Sequence, residues 1–395
     1  MQEPHTDRTA GEQARWLRSV YGDGGASVGE EELAERVGAP MRAAQGWDSV
    51  DAFRAAMAAD RVDMSDVRAD GDVAIIDVRT PAGLRLERVV RVDGDGRLAS
   101  MTTRLAGGAS MTMVSAAAWR AAHRAFDEPT LLDDTYAALL IGDASPYQVD
   151  AVRDGTHGTE GFHYRWNMAA RARLAEDTLA DQRASFGTRQ YVVLGAGLDT
   201  FAMRNPFDDV TVFEVDTPAS QRWKLDRLAQ LGIAAPSGVR YIACDFEQQD
   251  FVDQLVSVGF DLHAPAVAAW LGVSYYLTAE AIRATLERVA SWPSGSAIVF
   301  DYALAEDEWD PIDGFDAAGM RAVLEGVAAA GEPFLSLFHD DELAALCRSC
   351  GFDDVELLGH DDIRARYMPG RSHPTPGPDP VMKLARARVS PGRAH

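Results

Sequence analysis

Between Gln190 and Thr217 the chain reads QYVVLGAGLDTFAMRNPFDDVTVFEVDT, and the rest of the sequence is organised around that stretch. Tyr191 to Leu194 is a short apolar run rich in β-branched residues, the pattern of a strand buried on both faces. It stops at Gly195-Ala196-Gly197, where a Cβ would obstruct a tight turn or a closely approaching ligand. Asp199 and Thr200 supply polar groups where a helix can begin. A second β-branched run, Val210 to Val215, ends at Asp216. Strand, glycine turn, helix, strand and terminal acid make up the nucleotide half-site of a doubly wound sheet. Ligands of such sheets lie over the carboxyl ends of the strands, and the acid reaches the ribose hydroxyls. One carboxylate offers two acceptor oxygens to a vicinal diol with two donors.

A Gly-Ala-Gly after an apolar run is also an ordinary turn; the acid at the second strand tip is what points to a nucleoside. The residues that follow narrow the ligand. A dinucleotide fingerprint asks for Gly or Ala at its last position, beneath the pyrophosphate. Here that position is Thr200, and Asp199 lies beside the helix start, where a diphosphate would be poorly served by a neighbouring carboxylate. A cationic, phosphate-free nucleoside such as S-adenosylmethionine suits the stretch better. A nicotinamide-dependent oxidoreductase is the rival reading, weakened by Thr200 and by the lack of a Tyr-x-x-x-Lys pair. A non-catalytic nucleoside-binding protein is another.

Several motifs in register resemble the leucine carboxyl methyltransferase-like enzymes, class I S-adenosylmethionine-dependent O-methyltransferases. They are LGAGLDT at 194–200, FEVD at 213–216, Trp223-Lys224, CDF at 244–246 and WLGVSYYL at 270–277. The resemblance runs from about Ala116 to the C-terminus and is to a bacterial subgroup. It implies an α/β fold, the class I doubly wound sheet. It also implies cofactor contacts at Gly195, Ala196, Gly197, Asp199 and Asp216, with Asp245 and Phe246 holding the adenine. Arg171 matches the family arginine that pairs with the carboxylate of the methionine moiety, a role suited to the guanidinium fork. Many members carry Glu where this chain has Leu271, a nucleoside contact, and Arg where it has Phe201. These departures put the protein-phosphatase substrate of the founding members in doubt. The implied acceptor is a carboxylate or hydroxyl of a small metabolite or peptide, with secondary metabolism as one setting.

The first hundred residues lie outside the resemblance. Residues 11–60 read as helices, with Ala14, Leu17 and Tyr21 on one face and a start capped by Ser49. Three alternating runs follow, Val73–Val78, Leu84–Val92 and Leu98–Leu105, separated by Pro81-Ala-Gly83 and Asp93-Gly-Asp-Gly96. Helices plus a three-stranded meander form a small α+β module over 1–108, similar to cystatin-like or NTF2-like units. Its uses are packing, dimerisation or shaping a substrate entrance. Gly107-Gly108 is the natural joint, and 109–395 is the methyltransferase domain.

At 395 residues the chain is long enough for two cores. A net charge of −23 speaks against nucleic acid and anionic membrane surfaces as partners. The N-terminus lacks the pattern of a signal peptide, and three Cys fit a reducing cytoplasm. Cys347 and Cys350 have the spacing of a metal or redox half-site, but only Cys244 remains to complete it, so no metal is expected. They read instead as small buried thiols on a helix ending at Gly351.

Within the domain, helices are expected from Ser115 and near Leu131, a mobile loop over 151–165, and a helix from Trp166 to Gln182. Strands follow at 239–243, 264–271 and 295–302, then an exposed acidic insertion over 303–315 and two last strands at 355–358 and 381–389. A carboxylate acceptor is already anionic and needs placement rather than a base, whereas a hydroxyl needs proton removal. His157 and His163 are the loop histidines that could serve, but nothing singles out either. The acceptor side is therefore assigned to Arg366 or Arg371, with Tyr276 as a hydrogen-bonding wall.

Overall fold

The computed structural model describes residues 9–22, 26–44, 49–59, 63–79, 85–105, 109–110, 112–128, 130–142, 158–244, 249–310, 312, 315–329, 333–369 and 379–390. Two units are distinguished: Met1–Thr112 with Gly142–Pro146, and Met113–Ile141 with Tyr147–His395. The Gly107-Gly108 joint lies outside the described residues.

The first unit opens with helices α1 (Ala10–Gly22), α2 (Glu30–Arg36), α3 (Ala39–Ala44) and α4 (Val50–Ala59). Strands β1 (Asp63–Asp70), β2 (Val73–Arg79), β3 (Arg85–Val92) and β4 (Leu98–Leu105) follow as one antiparallel sheet in that order. Ala10, Ala14, Leu17 and Val20 lie three or four residues apart on α1 and are buried, and the helix packs on β1, β2 and β3. Ser49 Oγ accepts from the Ala52 N–H, as its capping pattern predicts. The sheet has four strands, not three. The unexpected one, β1, reads DMSDVRAD and buries only Met64 fully, so it carries no apolar alternation to find. Backbone pairing with β2 holds it, and its charges suit an edge.

The second unit carries β5 (Gln190–Leu194), β6 (Thr211–Asp216), β7 (Val239–Ala243), β8 (Ala266–Trp270), β9 (Ala297–Leu304), β10 (Leu337–Phe338), β11 (Asp354–Leu358) and β12 (Met382–Arg388). Across the sheet the order is β11-β12-β9-β8-β5-β6-β7, with β10 beside β9. All pairs are parallel except those of β12, which runs antiparallel between β9 and β11. From β5 the chain winds one way to β6 and β7, and from β8 the other way to β9. The order therefore reverses between β5 and β8, the point where open α/β sheets form their ligand crevice.

Helices cover both faces: α5 (Thr112–Phe126), α6 (Ala137–Ile141), α7 (Gly158–Phe186), α8 (Phe201–Arg204), α9 (Pro218–Gln230), α10 (Phe251–Ser257), α11 (Ala279–Ala290), α12 (Ala317–Ala329), α13 (Asp340–Cys350) and α14 (His360–Tyr367). All of β5 is buried because its side chains alternate between two cores. Val192 and Leu194 join Ile282, Leu286 and Val289 of α11 and Leu343 of α13. Tyr191 and Val193 join Leu174 and Leu179 of α7 and Ile363 of α14. That is why the strand reads as an unbroken apolar run.

Three expectations change. Residues 158–165, read as loop, begin α7; 151–157, including His157, lie outside the described residues. The helix placed near Leu131 starts at Ala137, because Asp134 Oδ1 accepts from the N–H groups of Tyr136 and Ala137 and caps it. The acidic insertion is not wholly exposed: Trp309 is fully buried and its Nε1–H donates to the Leu304 carbonyl at 2.9 Å. Cys347 is buried, which pushes its thiol up to about 12, while Cys350 is half-buried. Among the described residues no group of three or more His, Cys, Asp or Glu could hold a metal ion, and no helix is long and apolar enough to cross a membrane.

Candidate cofactor and active site

Parallel pairing of β5 with β6, Leu194 opposite Val215, brings Asp216 level with the glycine turn. The N–H groups of Gly195 and Ala196 both donate to the Val215 carbonyl, at 2.9 and 3.1 Å. Asp216 Oδ2 accepts from Gly197 N–H at 2.5 Å, and Oδ1 from Thr217 N–H at 2.6 Å. The residue is only 9% exposed. Burial pushes its carboxyl above the usual range against the pull of those two N–H groups. Each oxygen retains a lone pair for a further donor.

Gly195 has φ +70°, and a Cβ there would run into the side chain of Val273 in the loop after β8. A Cβ on Gly197 would come within 2.9 Å of Met113 Cβ on α5. Both glycines are thus required by the turn and by neighbouring protein. Asp199 Oδ1 accepts from the Phe201 N–H at 2.8 Å and opens the single turn of α8. Thr200 makes no cap bond; its Oγ1 accepts from Arg204 Nε.

Two buried ionic groups hold this loop from outside: the sequence does not single out Arg120, and it marks Lys224 and Glu214 only as motif residues, with no pairing. Arg120 of α5 donates from Nη2 to the Leu198 carbonyl at 2.6 Å and from Nε to Asp134 at 2.8 Å. Asp134 is fully buried, and Arg120 with Arg204 keeps its carboxyl below the usual range against burial. Beneath the loop, Lys224 Nζ reaches the Asp199 carbonyl at 2.6 Å and Glu214 Oε2 at 2.5 Å. Both side chains of that pair are 2% exposed, and Glu214 Oε1 has no partner among the described residues. Burial lifts the Glu214 carboxyl to about 7 even with Lys224 beside it.

On the other side of the switch point, Arg171 Nη1 donates to Asp301 Oδ2 at 2.6 Å. Asp301 Oδ1 accepts from the Gly272 N–H at 2.6 Å, and its carbonyl accepts from Ser274 Oγ at 2.5 Å. Asp301 is the one acid inside the buried strand AIVFDYAL, a charge that marks the position in the sequence but not its partner. Leu271 packs with Leu131, Leu132, Ala169 and Ala172 in an apolar cluster. Tyr276 is half-buried against Tyr275 and Phe334, ring centroids 4.7 and 5.2 Å away.

Arg366 is placed differently from Arg171. Its Nη2 pairs with Glu356 of β11 at 2.6 Å. Through the register Glu356, Arg386, Val299, that pair lies two residues short of the Asp301 level. The structure therefore does not bring Arg366 to the carboxyl ends of β8 and β9. Asp245, Phe246 and Arg371 lie outside the described residues. His163 is half-buried on α7.

Comparison with known proteins fits this geometry. The family profile described as "Leucine carboxyl methyltransferase" matches residues 113–290. A putative S-adenosyl-L-methionine-dependent methyltransferase from Bacillus subtilis is 32% identical over 291 residues, covering 66% of this chain and 92% of that protein. A putative S-adenosyl-L-methionine-dependent methyltransferase from Mycobacterium sp. (strain KMS) is 34% identical over 297 residues, 66% of this chain and 94% of its own. A DUF574 family protein from Streptomyces avermitilis overlaps 70% of this chain and 97% of its own with a TM-score of 0.42, too low to add to the assignment. With more than nine-tenths of these sequence relatives spanned at over 30% identity, the chain belongs to the leucine carboxyl methyltransferase family of S-adenosylmethionine-dependent methyltransferases.

Proposed function

We propose that Asp216 takes the ribose hydroxyls of S-adenosylmethionine, that Gly195, Ala196, Gly197 and Asp199 form the wall beside it, and that Arg171 grips the methionine carboxylate. Asp245 and Phe246 are proposed for the adenine on the family resemblance. The observation that carries this reading is Asp216, a nearly buried carboxylate at a strand tip beside the switch point, with both oxygens oriented by backbone N–H groups. Arg171 supports it from the far side as a buried guanidinium that can face a carboxylate.

We further propose an O-methyltransferase acting on a carboxylate of a small metabolite or peptide. The donor supplies a methyl group on a positively charged sulfur. The chain's own part is to place the acceptor in line with that methyl group and keep water away. Two groups that could act as bases are already engaged. Both oxygens of Asp301 hold donors, and His123 on α5 pairs through Nδ1 with Asp127 while Nε2 accepts from the Leu131 N–H. An acceptor that is already anionic needs neither. Tyr276 is the proposed wall of the acceptor site; Arg366, committed to Glu356, is left out.

S-adenosylhomocysteine should raise the melting temperature, as a ligand selective for the native state must, and NAD(P) should not. Asp216→Ala should weaken S-adenosylhomocysteine by about 1.5–3 kcal/mol. No shift at millimolar ligand, with the protein folded, would refute the cofactor assignment. Transfer of labelled methyl to base-stable hydroxyl ethers alone, with no base-labile ester formed, would refute the carboxylate acceptor.

A further inference from the structure

Arg171 and Asp301 form the most enclosed ion pair at the carboxyl ends of β8 and β9, their side chains 8% and 3% exposed. Such a pair needs good geometry and full hydrogen bonding to offset the loss of water around both charges. Asp301 has both. One oxygen meets Arg171 Nη1 and the other meets the Gly272 N–H, each at 2.6 Å. The guanidinium is confined on two further sides. The Tyr275 side chain is an electrostatic neighbour of it, and it lies against Gly272, where a Cβ would come within 3.0 Å of Nη2 and 3.1 Å of Nη1. Gly272 has φ +76°, so the loop after β8 takes a backbone shape that glycine favours at the same place where it must admit the arginine.

These contacts use only part of the five N–H donors of the guanidinium and fix the direction of the rest. We propose that Asp301 is a positioning residue for the cofactor: it anchors Arg171 through Nη1, and by holding Gly272 it fixes the loop against which the guanidinium lies. The unused N–H edge is thereby pre-set for the donor's carboxylate. This rests on the proposed role of Arg171 and adds what aims it. Without Asp301 the arginine would be a buried cation with no acid beside it, and ligand binding would have to order it first.

The test compares S-adenosylhomocysteine with 5′-methylthioadenosine, which shares the nucleoside and the sulfur but lacks the amino-acid carboxylate. Asp301→Asn keeps an acceptor for Gly272 and removes the charge that anchors Arg171. The expected result, by calorimetry on the full chain, is a Kd for S-adenosylhomocysteine raised about 10- to 100-fold. The Kd for 5′-methylthioadenosine should stay within about twofold, since it makes no charge-assisted bond to the arginine. Equal weakening of both ligands would make Asp301 a merely structural residue, and no change in either would show that Arg171 needs no anchor; each overturns the proposal. Arg171→Met, measured alongside, separates the two layers. If it leaves the ratio of the two affinities unchanged, the carboxylate role of Arg171 fails. If it lowers the ratio while Asp301→Asn does not, only the positioning role fails. Should Asp301→Asn not fold, Gly272→Ala decides. It sets a methyl group against both Nη atoms and turns the guanidinium from its aim, and it should cost S-adenosylhomocysteine about fivefold relative to 5′-methylthioadenosine. An unchanged ratio there overturns the proposal.

Discussion

The Glu214–Lys224 pair beneath the glycine loop sets burial against ion pairing, and pH separates the two. Glu214 is 2% exposed, with Lys224 on one oxygen and, among the described residues, nothing on the other. Burial raises its carboxyl from an ordinary 4.5 to about 7, the nearby Asp199 and Asp216 adding to the rise and Lys224 opposing it. In the unfolded chain the carboxyl ionises at its ordinary value. Between those two pH values the native state therefore binds more protons than the unfolded state, and the stability this group supports falls as pH rises. Each pH unit of separation is worth about 1.4 kcal/mol, so the whole window is worth about 3 kcal/mol. About 2 kcal/mol of that falls between pH 5.5 and 8.5, a range clear of the isoelectric point near 4.7. Glu214→Gln keeps the shape and removes the titration. Urea unfolding followed by tryptophan fluorescence at pH 5.5 and 8.5 should show the variant gaining about 2 kcal/mol on the wild type across that range. A constant difference would mean that the carboxyl is not raised, because pairing with Lys224 matches or outweighs burial and the group is ionised in both states across this range.

Arg120→Met should destabilise the second unit by about 3–5 kcal/mol in urea unfolding, because it takes the nearest guanidinium from the fully buried Asp134. It also removes the donor to the Leu198 carbonyl, so S-adenosylhomocysteine affinity should fall with it. Trp309→Ala should cost about 3–5 kcal/mol in the same assay by opening a cavity beside Leu304 and Met320. A chain beginning at Ala109 should still bind S-adenosylhomocysteine, since every cofactor residue proposed here follows that point; calorimetry on it tests the proposed boundary. Loss of folding would assign the first unit to the methyltransferase core.

The sheet and its centre were legible because their signals are local. Buried parallel strands read as apolar runs, and an acid ending one of them stands out, as Asp216 does after Val215. What escaped depends on partners distant in sequence. Asp301 meets Arg171 across 130 positions, and Arg120 meets Leu198 across 78. No spacing rule joins residues so far apart. Strand β1 escaped for a different reason: an edge strand of charged residues buries too little to show a period. Residues 158–165 were read as loop from their glycines and aromatics, although the helix that starts there continues for 29 residues. Tertiary support carried that helix over weak local propensity.

The antiparallel strand β12 has a consequence for synthesis. It lies between β9 and β11, yet it follows every other strand in the chain. While the ribosome is still delivering it, the parallel half from β7 to β9 can assemble, but β9 is left as a bare edge and β11 has no neighbour to bond. The nascent protein passes through a stage with an apolar, unpaired margin, the kind of intermediate that chaperones shield. Shortening the chain before Met382 should therefore yield insoluble protein rather than a trimmed enzyme, because the sheet would lose an interior member and not a border.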